Sequence, residues 1–528
     1  MASKFLKRRE FFFLISIYVF SLALRLIPKL YLDSHLPAFQ GDVWYRITMA
    51  QYIFDNWSLP EPDIRYRPYG YVPMWYPPLS VFFLALLSKL TSLDIPTVVT
   101  RILPFFEGFS PLSIYFLARY LYNEKVAIYS VIILSATPSF VYWTGIGDPQ
   151  SMVLFLIPIY ILYFLKYSKR EYQNKSLILM GIFLGIVFLF HLSYFVLILS
   201  LLMVSISLFL KRVSRKRIIF GFAFLVFLSQ LVALWWWYPR NLYWWWIHAL
   251  TSSSQYYTPL RHFFEFGMVP AILGFLGLSY LGVSKNKNFP LIFFWTLPLL
   301  IETQNETILN AVGRIDLSWE TLAKPLEGFR FYPFLSQPFS LAAGVFLYRS
   351  GKKFLLILSI LILLLTANLW HYNIDISLTN AGMLKREYDA AVWYRENSDE
   401  NSLIVADYYR SQMIAGVCGG KALIGGLFPL RNVEYPYIKA PPQVQNDIYT
   451  LYVTEDLEKA MMIVERYKIT HIFYSSNLEA TGYFGTSLQK DFGLPVYRDK
   501  FFTKSFIIVY QDEDILIFKV FMIRLNDI

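Results

Sequence analysis

The chain has 528 residues, of which 56% are hydrophobic and 19% aromatic, while only 16% carry a charge. Uncharged runs of about 17–22 residues recur, the length of a helix that crosses a bilayer, which excludes an ordinary soluble protein. The net charge of +11 does not indicate a nucleic-acid partner, because most basic residues lie in short loops between apolar runs. Cys418 is the single cysteine, so an internal disulfide is excluded.

The apolar runs predict a polytopic α-helical membrane protein with about eleven transmembrane helices. The first run, Phe11–Pro28, follows a basic N-terminus and lacks a small-residue cleavage site, which indicates a retained anchor. Alternate loops are rich in Lys and Arg, so these loops and the N-terminus are predicted to be cytoplasmic. Crossings are expected near residues 11–30, 98–119, 126–143, 150–166, 176–191, 193–210, 218–237, 266–283, 289–302, 329–348 and 354–370.

Residues 31–97 are predicted to form one large outer loop. The apolar stretch Trp75–Leu87 within it is short, and counting it as a crossing would invert every later basic loop. We therefore expect a helix that lies at the outer membrane interface. Further along, Trp235–Tyr238 and Trp244–Trp246 form an aromatic cluster. Such a cluster is typical of an interfacial belt, and it could also be a platform beside a lipid-linked substrate.

From residue 371 the hydrophobic runs shorten and charged residues become regular. Periodicity predicts helices at Met383–Asn397 and Glu455–Tyr467. It predicts strands at Ser402–Ala406, Thr470–Tyr474, Phe506–Gln511 and Ile515–Val520. Alternating helices and strands indicate an α/β fold, so we expect a transmembrane domain at residues 1–370 and an extracytoplasmic α/β domain at residues 371–528.

Two aspartates fall on the outer face by this topology. Asp42 lies in Gly-Asp-Val-Trp-Tyr-Arg, in a polar loop, and Asp148 lies in Gly-Ile-Gly-Asp-Pro. Either residue could simply form a turn. Paired carboxylates also suit Mg²⁺ or Mn²⁺, ions that complete their shells with phosphate oxygens. Trp44 and Arg46 add a flat apolar surface and a guanidinium able to bind phosphate. The sequence thus predicts a metal and phosphate site.

Two other residues stand near outer helix ends. Arg330, in Gly-Phe-Arg-Phe, either extends to the interface or contacts substrate. His191 is interpreted as a satisfied interfacial histidine, since ionisable residues deeper in the membrane are costly. The sequence has no His-Glu-x-x-His motif, nucleotide-binding glycine loop or cysteine cluster. These absences argue against a zinc hydrolase, a soluble type of nucleotide-sugar site and an ATP-driven transporter.

Several of these segments resemble the catalytic subunit of oligosaccharyltransferase, in its archaeal and bacterial single-subunit form. Pro37–Arg46 and Trp75–Leu79 resemble that family's first outer loop, and the resemblance continues in order along nearly the whole chain. The later matching segments are Arg119, Ser135–Ser139, Gly147-Asp148, Gly328–Phe331, Trp393–Asn397, Val405–Tyr408 and Glu465–Phe473.

The resemblance implies a GT-C glycosyltransferase fold and an inverting, metal-dependent transfer of an oligosaccharide to Asn in Asn-x-Ser/Thr. The donor is then a dolichol-type polyprenyl phosphate or diphosphate at the outer face of the bilayer. By the same resemblance, Asp42 and Asp148 match the catalytic metal ligands for Mn²⁺ or Mg²⁺. Arg330 matches the acceptor-side arginine, and Asp407 matches the aspartate of the acceptor pocket.

The chain departs from the family at the acceptor pocket and the metal site. Val405-Ala-Asp-Tyr-Tyr409 stands where the family has Trp-Trp-Asp-Tyr-Gly, which predicts weak reading of the sequon hydroxyl. Gln150 replaces a common carboxylate or His. Ser252–Gln255 carries an amide where the family has an acid, and Gln255 is expected to contact substrate.

Three functions therefore remain open. The first is an oligosaccharyltransferase-like membrane enzyme. The second is a GT-C transferase that uses a lipid-linked monosaccharide to modify a glycan, lipid or protein hydroxyl, and the missing tryptophans favour it. The third is a non-enzymatic polysaccharide-export or lipid-transport protein, which the presence of Asp42, Asp148 and Arg330 argues against.

Overall fold

The structure is a computed structural model that describes residues 8–31, 41–61, 63–64, 74, 76–211, 214–238, 266–304, 328–351, 357, 359–360, 364, 385–419, 421–423, 441–476, 478, 496 and 498–521. These residues belong to two compact units. The first lies within Met1–Asp33 and Val99–Ile374, and the second within Ser34–Val98 and Asp375–Ile528. The segment predicted as a large outer loop thus belongs almost entirely to the second unit.

The described residues of the N-terminal two thirds of the chain are mostly helical. In chain order the helices are α1 (Arg8–Tyr31), α2 (Gly41–Asn56), α3 (Pro78–Thr91), α4 (Ile95–Thr97), α5 (Leu103–Glu107), α6 (Leu112–Leu121), α7 (Glu124–Ser135), α8 (Pro138–Trp143), α9 (Gln150–Ser168), α10 (Asn174–Phe190), α11 (Tyr194–Leu210), α12 (Arg215–Trp237), α13 (Met268–Val283), α14 (Phe289–Thr303) and α15 (Tyr332–Ser350). In the first unit α15 packs against α13 and α7, and α10 packs against α12.

Among the described residues, two helices are long and apolar enough to cross a membrane, Gln150–Ser168 and Arg215–Trp237. Pro78–Thr91 and Ile95–Leu121 pass the same test only as a pair bent by 103°, which is a broken span or a re-entrant loop. Helices α10, α11, α13 and α14 are apolar but shorter. The predicted number of about eleven crossings is therefore not established, and the crossing at 354–370 lies mostly outside the described residues.

Two predicted crossings are not continuous helices. The run at 98–119 consists of a π-helical turn at Val98–Ile102, then α5, a turn, and α6. The run at 126–143 divides into two helices, α7 and α8, and Pro138 is the first residue of α8. Pro104 and Gly108 explain the first interruption, because proline lacks the amide donor that helix propagation needs and glycine lowers helix propensity. Helix α7 starts where Asn123 accepts a hydrogen bond from the Val126 N–H at 3.0 Å.

The C-terminal part contains a mixed sheet covered by helices. In chain order its elements are α16 (Lys385–Asn397), β1 (Ile404–Val405), α17 (Tyr408–Cys418), β2 (Ala422–Leu423), α18 (Pro441–Val453), α19 (Leu457–Tyr467), β3 (His471–Ser475), β4 (Phe506–Asp512) and β5 (Ile515–Val520). The strand order is β2-β1-β3-β5-β4. Strand β1 pairs in parallel with β2 and β3, whereas β5 pairs antiparallel with β3 and β4.

An apolar core joins this sheet to α18 and α19. Buried side chains from β1, β3 and β5, including Ile472 and Phe518, pack with Ile448 and Val464 of the helices. The structure confirms each helix and strand predicted in this part and adds α17, α18 and β2, which the sequence patterns did not reveal.

Candidate functional site

Asp148 lies in a tight turn between α8 and α9. Gly147 has φ +78°, and a Cβ on it would lie 2.6 Å from Cγ1 of Val99, so the backbone and the available space both require glycine. The Asp148 carboxylate is 8% exposed. Its Oδ1 accepts a hydrogen bond from the Gln150 backbone N–H at 3.0 Å. This bond satisfies a donor at the start of α9 and orients the carboxylate.

We expect Gly147→Ala to destabilise the first unit more than Gly351→Ala does. Gly351 also has a left-handed φ of +65°, but no atom of the described residues lies within 4 Å of a Cβ added there. Both substitutions carry the backbone cost of about 1–2 kcal/mol, and only Gly147→Ala adds a steric clash. Thermal unfolding of the two variants in detergent checks this difference. Equal melting temperatures would show that the turn at Asp148 relaxes freely.

His191 contacts the same aspartate from the loop between α10 and α11. Its Nε2 atom lies 3.4 Å from Oδ1 of Asp148. Its Nδ1 atom accepts a hydrogen bond from the Ser193 backbone N–H at 3.1 Å and lies 2.9 Å from the Ser193 hydroxyl. The interpretation of His191 as merely an interfacial histidine missed this pairing. Its position at the end of an apolar run, near the same predicted face as Asp148, was the available signal.

Arg25 holds the segment that leads into the Asp148 turn. This fully buried residue of α1 donates through Nε to the backbone oxygen of Thr144 at 3.2 Å and to the Thr144 hydroxyl at 3.1 Å. Its NH1 atom donates to the Ser21 backbone oxygen at 2.7 Å and to the Ser21 hydroxyl at 2.6 Å. Sequence reasoning also missed Arg25, although an arginine inside an apolar run is a signal in itself.

Asp42 belongs to the other unit, and it is the second residue of helix α2. The prediction of a loop at this position is therefore wrong, and the Asp42 side chain is not among those described. Helix α2 buries Trp44 and Arg46, which are 1% and 2% exposed. The Trp44 ring lies 6.3 Å from the Tyr388 ring. Helix α2 packs on α17, so packing alone explains the burial of Trp44.

Arg46, a residue of the same helix, has a tyrosine as a hydrogen-bond partner. Its NH1 atom donates to the hydroxyl of Tyr76 at 3.4 Å. A buried guanidinium keeps its positive charge and can bind phosphate. Because Arg46 is buried, a phosphate would have to enter the fold to contact it. The predicted contacts of Trp44 and Arg46 with substrate stay predictions.

Asp407 is part of a buried charge cluster in the C-terminal part. Its Oδ2 accepts from NH1 of Arg410 at 3.0 Å, and Nε of Arg410 donates to Oε1 of Glu387 at 2.9 Å. All three side chains are fully buried. Burial alone would lower the pKa of Arg410, but Asp407 and Glu387 raise it above its ordinary value. The Ser475 hydroxyl donates to Glu387 at 2.5 Å. The Asp407 carboxylate, predicted to contact the acceptor, thus forms a buried salt bridge with Arg410.

The remaining predicted residues are less constrained. Arg330 lies in a 3₁₀ turn, Gly328–Phe331, directly before α15, and it is partly exposed. Gln255 and the second part of the aromatic cluster, Trp244–Trp246, lie outside the described residues.

The described residues were also compared with the requirements of a metal ion. No group of three or more His, Cys, Asp or Glu side chains suited to a metal occurs in the described part of the chain. Asp148 fits in chemistry, because a fixed carboxylate is the ligand that Mg²⁺ and Mn²⁺ prefer. The prediction that Asp42 is a second ligand stays a prediction, because its side chain lies outside those described.

Sequence comparison finds one family. Residues 76–237 match the model of the dolichyl-phosphate-mannose-protein mannosyltransferase family. Compared with curated proteins, the chain matches none.

Solved structures extend the likeness to almost the whole chain. The Archaeoglobus fulgidus oligosaccharyltransferase in the apo form is 14% identical, with a TM-score of 0.64 over 91% of this chain and 71% of that chain. Other structures of the A. fulgidus enzyme contain an inhibitory peptide with a dolichol-phosphate, or Zn and sulfate. ArnT from Cupriavidus metallidurans, bound to undecaprenyl phosphate, is 11% identical, with a TM-score of 0.60 over 96% of this chain and 97% of that one.

A third solved structure, the mycobacterial arabinofuranosyltransferase AftD, has a TM-score of 0.55 at 12% identity over 98% of this chain and 40% of its own. Together with the match at residues 76–237, these structures show an oligosaccharyltransferase-like fold of the GT-C type with a divergent sequence. The resemblance noted in the sequence is thereby confirmed.

Proposed function

We propose that the chain is a multi-pass membrane glycosyltransferase that transfers a sugar or oligosaccharide from a polyprenyl-phosphate or -diphosphate donor. The observation that carries this proposal is the Asp148 turn, in which Gly147, Gln150 and His191 fix a buried carboxylate. Two structural relatives were solved with lipid phosphates, a dolichol-phosphate and undecaprenyl phosphate. We further propose that residues 371–528 lie on the extracytoplasmic side, as the basic loops indicate.

Asp42 and Asp148 are the proposed ligands of one Mn²⁺ or Mg²⁺ ion. Such an ion supplies positive charge that stabilises a phosphate leaving group. The A. fulgidus structure with Zn and sulfate supports a metal in this fold. Asp148 comes from the turn before α9 and Asp42 from the first turn of α2. Arg46 and Trp44 are the proposed contacts to the donor, Gln255 is a proposed contact to substrate, and Arg330 is the proposed contact to the acceptor.

A specific observation favours an acceptor other than an Asn-x-Ser/Thr sequon. Ala406 precedes Asp407 where the resemblance expects a tryptophan, and Asp407 is bound to Arg410. A glycan, lipid or protein hydroxyl, modified from a lipid-linked monosaccharide, is therefore the second candidate. A purely export or transport function would not explain why the turn at Asp148 holds a buried carboxylate.

We expect the purified chain to glycosylate Asn-x-Thr and Asn-x-Ala peptides at similar, low rates. A pocket that binds the Thr hydroxyl favours the Thr peptide over the Ala peptide by about 1–3 kcal/mol. With alanine, the polar groups of the pocket lose their hydrogen-bond partner. That energy corresponds to about 5- to 150-fold in rate.

The measurement is transfer to both peptides from a dolichyl-linked donor, with free glycan and lipid hydroxyl acceptors assayed in parallel. Strong dependence on Thr would contradict the second candidate and establish sequon recognition. Transfer to none of the acceptors, despite correct folding, would contradict the proposed function.

A further inference from the structure

Two contacts, made by separate segments of the chain, involve Oδ1 of the Asp148 carboxylate. The first is the Gln150 N–H, at the start of α9. The second comes from His191, which is 43 residues away, and its Nε2 atom lies 3.4 Å from Oδ1 of Asp148. Fixing one carboxylate oxygen from two directions constrains the whole carboxylate, because the group is planar and rigid.

The contacts of His191 define which ring nitrogen carries the proton. A neutral imidazole has one donor nitrogen and one acceptor nitrogen. Nδ1 accepts a hydrogen bond from the Ser193 backbone N–H at 3.1 Å, so Nδ1 has no proton of its own. The proton therefore lies on Nε2, the atom that faces Asp148. In this tautomer Nε2 has no lone pair to offer a metal, so His191 acts on the carboxylate.

We propose that His191 is a positioning residue that orients Asp148 toward the cation and phosphate of the donor. This inference rests on the proposed function, in which Asp148 is a metal ligand. It also explains how Gln150 is tolerated where the family commonly has a carboxylate or His. The loop between α10 and α11 supplies the imidazole, and Gln150 contributes its backbone N–H. Partners that orient a ligating group typically change metal affinity by about 10- to 100-fold.

Two substitutions separate positioning from packing. His191→Leu removes the donor and keeps similar bulk, whereas His191→Gln keeps an N–H near the location of Nε2. Mn²⁺ binding to the purified full chain, measured by electron paramagnetic resonance, should weaken about 10- to 100-fold in His191→Leu and at most about threefold in His191→Gln.

His471→Gln is the control, because His471 is a histidine of strand β3 in the other unit, and burial lowers its pKa to about 4. We expect this variant to bind Mn²⁺ as the wild type does. Equal binding by the wild type and both His191 variants would overturn the inference. Equally weak binding by both His191 variants would also overturn it, since the imidazole itself would then be the ligand.

A second readout does not depend on metal. ¹⁵N spectra of histidine-labelled protein, with His191 assigned by its absence from His191→Gln, should show the Nε2–H tautomer. The Nε2 signal should shift in Asp148→Asn. An Nδ1–H tautomer would contradict the inference. If the wild type binds no Mn²⁺, the metal part of the proposed function fails, and these spectra alone decide the role of His191.

Discussion

Asp148→Asn is expected to reduce sugar transfer by about 10²-fold or more, the scale of losing a group that stabilises developing charge. The reason is charge, because the amide oxygen of Asn can still accept from the Gln150 N–H. Asn is also as good as Asp at a helix start, so stability should change little. Activity and thermal unfolding, measured on the same preparation, separate the two effects.

Asp42→Asn should give the same loss of transfer, and Asp55→Asn is its control. Asp55 lies on the same helix α2, is exposed and accepts from the Gln51 side chain at 3.1 and 3.2 Å. We expect Asp55→Asn to be as active as the wild type. Full activity in both Asp42→Asn and Asp148→Asn would remove these aspartates from the catalytic site.

Arg410→Met is expected to destabilise the C-terminal part by about 3–5 kcal/mol, because it leaves two buried carboxylates without a cation. Asp407 and Glu387 are both fully buried beside Arg410. Arg466→Met is the matched control. The Arg466 side chain is 49% exposed and pairs with Asp447 at 2.6 Å, and such exposed pairs contribute little to stability.

Pulse proteolysis of the full-length variants across a urea series measures both free energies of unfolding. Replacing the whole cluster, with Glu387→Gln and Asp407→Asn added to Arg410→Met, should recover part of the lost stability. If Arg410→Met and Arg466→Met lowered the free energy of unfolding by equally small amounts, the buried cluster would not contribute strongly to stability.

Local patterns predicted the C-terminal elements well. Strands β4 and β5 are rich in β-branched and aromatic residues, and Asp512-Glu-Asp514 lies at their turn, where Glu513 has φ 48°. Helix α17 escaped prediction because Tyr408–Cys418 mixes polar, small and apolar residues without a clear apolar stripe. Strand β2 has two residues and forms through its parallel pairing with β1, which a local sequence pattern does not encode.

The candidate site was predictable only in part. Asp148 stood out because Gly-Ile-Gly-Asp-Pro directly follows an apolar run. Arg25 and His191 did not, because their roles depend on contacts with residues far along the chain. Asp407 was assigned to the acceptor from resemblance, and sequence alone could not reveal the salt bridge with Arg410. Tertiary pairing, and not local propensity, decides these roles.

Asp42 and Asp148 are proposed to hold one divalent ion beside a lipid phosphate, and this proposal is central to the function. An experimental structure with dolichyl phosphate and Mn²⁺, in which the metal is located by anomalous scattering, tests it most directly. We predict a single manganese peak with an oxygen from each carboxylate at about 2.0–2.6 Å. Carboxylates separated by more than roughly 8 Å in the lipid-bound protein, or a peak that touches neither, would contradict the account, since one ion cannot bridge that distance.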